Sequence, residues 1–141
     1  MKIAICGSMS CAEEMLYFAG RLRERGHTIF LPVGTRTYAG MYGKDIDKID
    51  KEEGALRKIE LDLIIARYDV IQKSDAILVV NCDKDGIPNY IGGNTLMELG
   101  FAHVLKKSIF LLHDIPDTSW NRQEIIAVRP TVIHGNLDLI Q

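Results

Sequence analysis

The sequence predicts an α/β domain built on a doubly wound, five-stranded parallel sheet with the strand order 2-1-3-4-5. Short apolar segments rich in β-branched residues alternate with longer segments of helical periodicity. One segment, Ala76 to Val80, is apolar throughout, as a central parallel strand covered by helices on both faces requires. At 141 residues the chain is long enough for one domain with a substantial core, so residues 1–141 are predicted to form a single domain.

The first part of the chain predicts a β-α-β unit followed by a glycine-rich connection. The run from Lys2 to Cys6 predicts a strand, and Ser10-Cys11-Ala12-Glu13 is a capping-box start for the helix that closes at Gly26. His27 to Val33 predicts the second strand. The glycines and tyrosines from Gly34 to Gly54 fit a mobile flap and a solvated connection equally well.

The rest of the chain predicts alternating helices and strands. In order these are a helix over Ala55 to Lys73, a strand over Ala76 to Val80, a helix over Thr95 to Leu105 that is apolar nearly all round, a strand over Ser108 to Leu112, a short helix over Trp120 to Val128, and a strand over Thr131 to Ile133. Right-handed crossovers then make the strands parallel, and ligands bind beyond their carboxyl ends at the switch between strands 1 and 3.

Composition narrows the classes of partner. With 47% hydrophobic and 26% charged residues the chain has the profile of an ordinary globular protein. A net charge of −2 gives no reason to expect a nucleic acid polymer or an anionic membrane as partner. No apolar run approaches the roughly 20 residues of a membrane helix, and the N-terminus is typical of a strand rather than a signal peptide, so we expect a cytoplasmic protein.

The cysteines do not predict a metal site. Cys6, Cys11 and Cys82 are odd in number and lack C-x-x-C spacing, so we expect buried small apolar residues rather than disulfides or zinc ligands. No metal and no cofactor are expected.

Glu98 is the candidate catalytic residue. It follows a glycine-rich turn, Gly92-Gly93-Asn94, whose backbone N–H groups at a helix N-terminus favour an anion, and its own neighbours are apolar. The alternative is a capping box over Thr95 to Glu98, in which Glu98 would only cap the helix.

Further polar residues follow the ends of three predicted strands, where they would meet at one edge of the sheet. The predicted substrate-binding residues are Gly7, Ser8 and Met9 after strand 1, Asn81 and Asp83 after strand 3, Gly92, Gly93 and Asn94 in the turn, and His113 after strand 4. Asp83 lies in Asp83-Lys84-Asp85-Gly86, so it also fits a simple turn.

Three stretches carry a resemblance to a known family. Ile5-Cys6-Gly7-Ser8-Met9, Ser74-Asp75-Ala76-Ile77-Leu78-Val79-Val80 and the G-x-x-x-E-L-G-x-A stretch from Gly93 to Ala102 occur in this order over most of the chain. Together they resemble the nucleoside 2-deoxyribosyltransferase superfamily, and within it the deoxynucleoside-monophosphate N-glycosidases. The resemblance implies that Glu98 is the nucleophile and that the protein is a homo-oligomer, most simply a homodimer.

The chain departs from those glycosidases at two positions. Ala4 stands where they have a tyrosine, and Arg67 stands where they have a catalytic aspartate. Asp69 is two positions further on, which is about 200° around a helix, so we do not expect it to replace that acid directly.

The sequence therefore predicts a small-molecule nucleoside or nucleotide as substrate. A carboxylate can attack or stabilise the oxocarbenium-like centre that forms when a base leaves C1′ of deoxyribose, and the sugar then passes to water or to a second base. Two alternatives stay open. One is a phosphoribohydrolase of the cytokinin-activating type, whose glycine-rich signature the stretch from Gly92 to Glu98 approaches. The other is a nucleotide-binding sensor without turnover, which Arg67 favours.

Overall fold

A single all-parallel sheet organises the chain. The computed structural model describes residues 1–39, 62–117 and 120–141. Its strands are β1 (Lys2–Cys6), β2 (Thr28–Phe30), β3 (Ala76–Val79), β4 (Ser108–Leu111) and β5 (Thr131–Val132). They are paired in the order β2-β1-β3-β4-β5, every pair is parallel, and the predicted doubly wound fold is confirmed.

Helices cover both faces of the sheet. They are α1 (Ala12–Glu24), α2 (Thr35–Ala39), α3 (Leu63–Lys73), α4 (Gly93–Val104) and α5 (Arg122–Ala127), with 3-10 turns at Met9–Cys11 and Leu137–Leu139. Strand β2 is shorter than predicted, and α4 begins before Thr95. Most of the glycine-rich connection and the predicted start of the helix at Ala55 fall in residues 40–61, outside the described residues.

Alternate residues of each strand point to opposite faces and so build two cores. In β1, Ile3 and Ile5 pack on the α1 side, while Ala4 and Cys6 pack on the side that α4 covers. The strands β3 and β4 follow the same period. All of β3 is buried, which is why its sequence is a continuous apolar run rather than an alternating one.

The start of α1 differs from the predicted capping box. The chain first makes a 3-10 turn, with the Cys11 N–H donating to the Ser8 carbonyl at 2.9 Å. The side chain of Ser8, not Ser10, is therefore the cap, and its hydroxyl accepts from the Ser10 N–H at 3.4 Å. Cys11 is the N-cap residue of α1 and makes no capping side-chain bond.

Cys11 and Cys82 form a disulfide, so the prediction that no cysteine is paired was wrong. Their Cα atoms lie 5.9 Å apart although 71 positions separate them in the sequence. Cys11 follows β1 and Cys82 follows β3, and these strands are neighbours in the sheet, which is why the two loops meet. Cys6 is the free cysteine and is buried, as expected.

In the described part of the chain, no helix combines the length and the apolar character that crossing a bilayer would require.

Among the glycines of residues 1–39, 62–117 and 120–141, Gly7 leaves the least room for a side chain. Its φ is 154°, and a Cβ there would lie 2.6 Å from the Val80 carbonyl oxygen and 2.7 Å from the end of Met15. We expect Gly7→Ala to lower the free energy of unfolding by about 2 kcal/mol, because backbone must move to admit the methyl group. Urea denaturation followed by circular dichroism measures the change.

Gly20→Ala is the matched control for that substitution. Gly20 lies inside α1, and a Cβ added there would point into open space, so alanine should raise the stability by about 0.5 to 1 kcal/mol. Equal effects of the two substitutions would show that close approach at Gly7 does not constrain this edge of the sheet.

Candidate functional site

A cavity of about 180 Å³ opens beside the carboxyl end of β1, between the loop that follows β2 and the helices α3 and α4. Most of its wall is apolar, and the polar side chains of Arg67, Asn94 and Glu98 lie among that wall. Its full lining is Gly7, Met9, Leu31, Pro32, Val33, Tyr38, Leu63, Ile64, Ala66, Arg67, Val70, Asn94, Met97, Glu98 and Phe101. This is the kind of site that binds a largely apolar molecule and orients it through a few polar contacts.

The central polar feature of the cavity is an ion pair. Arg67 Nε donates to Glu98 Oε1 at 2.6 Å, and the side chains are only 13% and 10% exposed. A buried guanidinium or carboxylate is tolerated only when its charge is paired, so Arg67 and Glu98 each stabilise the charged form of the other.

The Arg67 guanidinium is held on a second side by β1. Its Nη2 donates to the Ile5 carbonyl at 2.8 Å and lies 3.4 Å from Cys6 Sγ. Burial acts to lower the pKa of Arg67, but the neighbouring Cys6 and Glu98 side chains outweigh it, and the pKa is raised above its ordinary value. Arg67 is therefore a permanent cation at a fixed position, and it links α3 to both β1 and α4.

Cys6 lies beside this pair but is not a candidate nucleophile. Burial raises the pKa of its thiol well above the ordinary value, and the Glu98 carboxylate raises it further, while Arg67 acts in the opposite direction. Nucleophilic attack by cysteine requires the thiolate. At neutral pH Cys6 thus remains a protonated thiol and acts as a small apolar residue.

Glu98 does not cap α4. The helix begins at Gly93, its N-cap is Gly92, and the Leu96 N–H donates to the Gly92 carbonyl. Thr95 is consequently inside the helix, and the capping-box interpretation of Thr95 to Glu98 is contradicted. The glycine pair moves the helix start upstream, since Gly92 adopts an extended conformation that needs no side chain to begin the helix.

The predicted substrate-binding residues divide into two groups. Gly7, Met9 and Asn94 line the cavity together with Glu98. The remaining residues, Ser8, Asn81, Asp83, Gly92, Gly93 and His113, are not among those that line it.

Asn81 joins two strand ends instead of facing the cavity. It is fully buried, its Nδ2 donates to the carbonyls of His113 and Asp114, and its Oδ1 accepts from the His113 N–H at 2.9 Å. Its amide thus fixes the loop after β4 against the end of β3. Asp83 makes a turn contact, because its Oδ1 accepts from the Asn89 N–H at 3.0 Å.

Ser8 and His113 contact residues that do not line the cavity. Ser8 Oγ accepts from Lys84 Nζ at 3.2 Å, and Lys84 in turn lies over the Tyr90 ring. His113 Nε2 lies 3.8 Å from Glu14 Oε2 on α1. Ser8 thus connects two loops at the carboxyl edge of the sheet, and His113 connects the loop after β4 to α1.

The apolar wall of the cavity is the part that sequence reasoning missed. Leu31, Pro32 and Val33 continue the apolar run of β2 past the point where the strand ends, and Tyr38 follows on α2. The available signal was the apolar run that continues beyond the end of β2. Apolar side chains past a strand end have to pack against other parts of the chain.

Neither comparison with known proteins nor a group of metal-ligating side chains in the described residues indicates a function. No family model matches the chain, and no curated protein and no solved structure matches it. Across residues 1–39, 62–117 and 120–141, no three histidine, cysteine or acidic side chains are grouped so that they could hold a metal ion.

The ion pair can be tested through stability. We expect Arg67→Met and Glu98→Met each to lower the free energy of unfolding by about 3 kcal/mol, because each leaves one buried charge without its partner. The double variant Arg67→Met/Glu98→Met should lie within about 1 kcal/mol of the wild type. Urea denaturation of all four proteins forms a double-mutant cycle, and additive losses would rule out a coupled pair.

Proposed function

We propose that this chain belongs to the nucleoside 2-deoxyribosyltransferase superfamily and cleaves or transfers at the N-glycosidic bond of 2′-deoxynucleosides or their 5′-monophosphates. The observation that carries the proposal is the position of Glu98. Its carboxylate lies in the wall of an apolar cavity, beside the β1 loop at the carboxyl edge of a parallel sheet.

The cavity supplies what such a reaction needs. Apolar and aromatic side chains such as Met97, Phe101 and Tyr38 offer contact area for a planar base. The Glu98 carboxylate faces a developing positive centre at C1′, where a carboxylate attacks or stabilises the oxocarbenium-like state. The bond from C1′ to the base breaks with its electron pair going to the base, and water or a second base then takes the sugar.

In this proposal Arg67 has a defined effect on the nucleophile. It binds Oε1 of Glu98 and fixes the carboxylate plane, so Oε2 is the oxygen that we assign to attack. Holding a reacting group in one orientation contributes to the rate, because no orientation has to be found in the transition state.

A nucleotide-binding sensor is the second candidate. Arg67 stands where the glycosidases that the chain resembles have an acid, and it is tied to Glu98 at 2.6 Å. A cation bound to the carboxylate competes with the positive charge that develops on the sugar, so the same pocket is suited to binding without turnover. The phosphoribohydrolase alternative rests on the sequence signature and predicts cleavage of ribonucleotides.

We also propose a homo-oligomer in the cytoplasm. Ile64 and Ile65 on α3 and Met97 and Val104 on α4 are exposed apolar side chains on helices that pack against each other. Clustered apolar residues of this kind are typical of a subunit interface. A second copy of the chain would cover the rim of the cavity, since Ile64 and Met97 also line it.

The activity is tested with deoxynucleosides, their 5′-monophosphates and the corresponding ribose compounds, each with and without a second free base. Chromatography separates released base from exchanged base, and calorimetry measures binding. We expect Glu98→Gln to reduce turnover at least about a thousandfold, because the attacking charge is lost. The assay temperature must be one at which circular dichroism shows the variant folded.

Glu124→Gln is the control for that experiment, since Glu124 is exposed on α5 and does not line the cavity. It should leave turnover unchanged. Tight binding by a wild-type protein that neither releases nor exchanges base would favour the sensor. Full turnover by Glu98→Gln would remove the nucleophile assignment.

The oligomer is tested by light scattering at micromolar concentration. Val104 is 78% exposed on α4, and Val104→Glu should shift the wild-type oligomer toward the monomer, because it places charge in an apolar interface. Tyr17→Glu is the matched control, since Tyr17 is 62% exposed but lies on α1, which packs on the core of the other sheet face. A wild-type monomer would contradict the proposal.

A further inference from the structure

The Cys11–Cys82 disulfide joins the two loops that border the candidate site. Cys11 ends the 3-10 turn that begins at Met9, and Cys82 begins the loop that leads to the start of α4. Both loops leave the carboxyl ends of neighbouring strands, β1 and β3. The covalent bond therefore lies at the edge where ligands enter parallel sheets.

Contacts connect this bond to the cavity wall. Gly7 and Met9 line the cavity, and Met9 lies in the same 3-10 turn as Cys11. Helix α2 packs on that turn and carries Tyr38 into the cavity lining. The position of the turn thus sets one side of the cavity.

Ser8 makes the polar contacts that shape the turn, and Ser10 Oγ donates to Ser8 Oγ at 3.0 Å. The Ser10 N–H reaches Ser8 Oγ at 3.4 Å, and Lys84 Nζ reaches the same oxygen at 3.2 Å from the loop that follows Cys82. The 2.9 Å bond from the Cys11 N–H to the Ser8 carbonyl is local to the turn. The bonds among Ser8, Ser10 and Cys11 hold the turn to itself, while Lys84 and the disulfide join it to the loop after β3, so we expect the disulfide to restrict movement of the turn relative to that loop.

The two sulfur-bearing residues differ in access. Cys11 is 3% exposed, whereas Cys82 is only partly buried at the margin of the core on the α1 side. An incoming thiolate reaches the more accessible sulfur of a disulfide first, and accessible disulfides are the ones that exchange readily. We therefore assign Cys82 Sγ as the atom that a thiolate attacks.

We propose that Cys11–Cys82 is a thiol–disulfide exchange site whose state controls how firmly the Met9 side of the cavity is held. One thiolate of a dithiol reductant attacks Cys82 Sγ, forms a mixed disulfide and releases Cys11 as a thiolate. The second thiol of the reductant then closes its own disulfide and releases Cys82. Two electrons pass to the protein, and two protons from solvent complete the two thiols.

Reduction of the disulfide affects the carboxyl edge of the sheet beside the cavity, and this effect does not depend on which ligand binds there. In the oxidised chain the 3-10 turn is fixed to the loop after β3. In the reduced chain that link is gone, while the strands, their hydrogen-bonded register and the Arg67–Glu98 pair remain. Reduction should loosen the cavity wall and leave the fold intact. Because this acts locally, it also holds if the proposed chemistry at Glu98 is wrong.

The test compares the wild-type protein purified without reductant, the same protein after dithiothreitol, and the double variant Cys11→Ser/Cys82→Ser. Alkylation with mass spectrometry reports the thiols, and hydrogen exchange reports the backbone. In the reduced protein and the variant, the amides of Ser10 and Cys11 should exchange at least about tenfold faster. The amide of Lys107, bonded to the Ala102 carbonyl at the opposite end of the sheet, should not change.

Cys6 is the internal control for alkylation, because it is buried and should stay unmodified in both states of the folded protein. Selective labelling of Cys82 before Cys11 during partial reduction supports the assigned point of attack. Free thiols at both positions without reductant would overturn the proposal, as would unchanged exchange at Ser10 and Cys11 after full reduction. If the double variant does not fold, the reduced wild-type protein decides the outcome.

Discussion

The guanidinium of Arg67 is the group on which the candidate site depends. It lies on α3, yet its three hydrogen-bonding partners are on β1 and α4: the Ile5 carbonyl, the Cys6 sulfur and the Glu98 carboxylate. A buried cation has to be matched by acceptors at defined positions, so its presence constrains how both helices approach the sheet. The same contact decides the orientation of Glu98, the residue to which we assign the chemistry. Structure and proposed function therefore rest on one side chain.

The sheet explains why the polar residues gather on one edge. Parallel strands place all their carboxyl ends together, so the loops after β1, β3 and β4 are neighbours although they are distant in sequence. The polar residues in these loops make different kinds of contact. Asn81 uses its whole amide to fix strand ends, Ser8 and Lys84 connect loops, and the cavity takes its walls from α3, α4 and the residues after β2. Some polar residues at this edge thus connect loops, and others line the cavity.

The disulfide extends the same arrangement with a covalent link. It adds a covalent constraint between the loops after β1 and β3, which the bond from Lys84 Nζ to Ser8 Oγ also joins. The ion pair and the disulfide act on different parts of the site. Arg67 binds the Glu98 carboxylate, and the disulfide joins the loop after β3 to the 3-10 turn whose Met9 lines the cavity. The position of the carboxylate and that of the Met9 side of the cavity are consequently constrained by separate interactions.

The sequence by itself determined the fold, because a strand that is buried on both faces of the sheet has to be apolar along its whole length. Continuous apolar runs such as Ala76 to Val80 mark central parallel strands, and the helical stripes between them fix the alternation and the strand order. It also placed Glu98, Gly7, Met9 and Asn94 near one another, since Gly7 and Met9 follow the end of β1, and Asn94 and Glu98 lie in the first half of the helix after β3. The observed ends of the helices and strands differ from the predicted ones by a few residues, because glycines and turns determine them locally. What only the tertiary structure decided were the pairings: Arg67 with Glu98, Cys11 with Cys82, and Asn81 with the loop after β4. Each joins residues that are far apart along the chain, and the distance between such groups is set by how the layers pack rather than by any local pattern of residues.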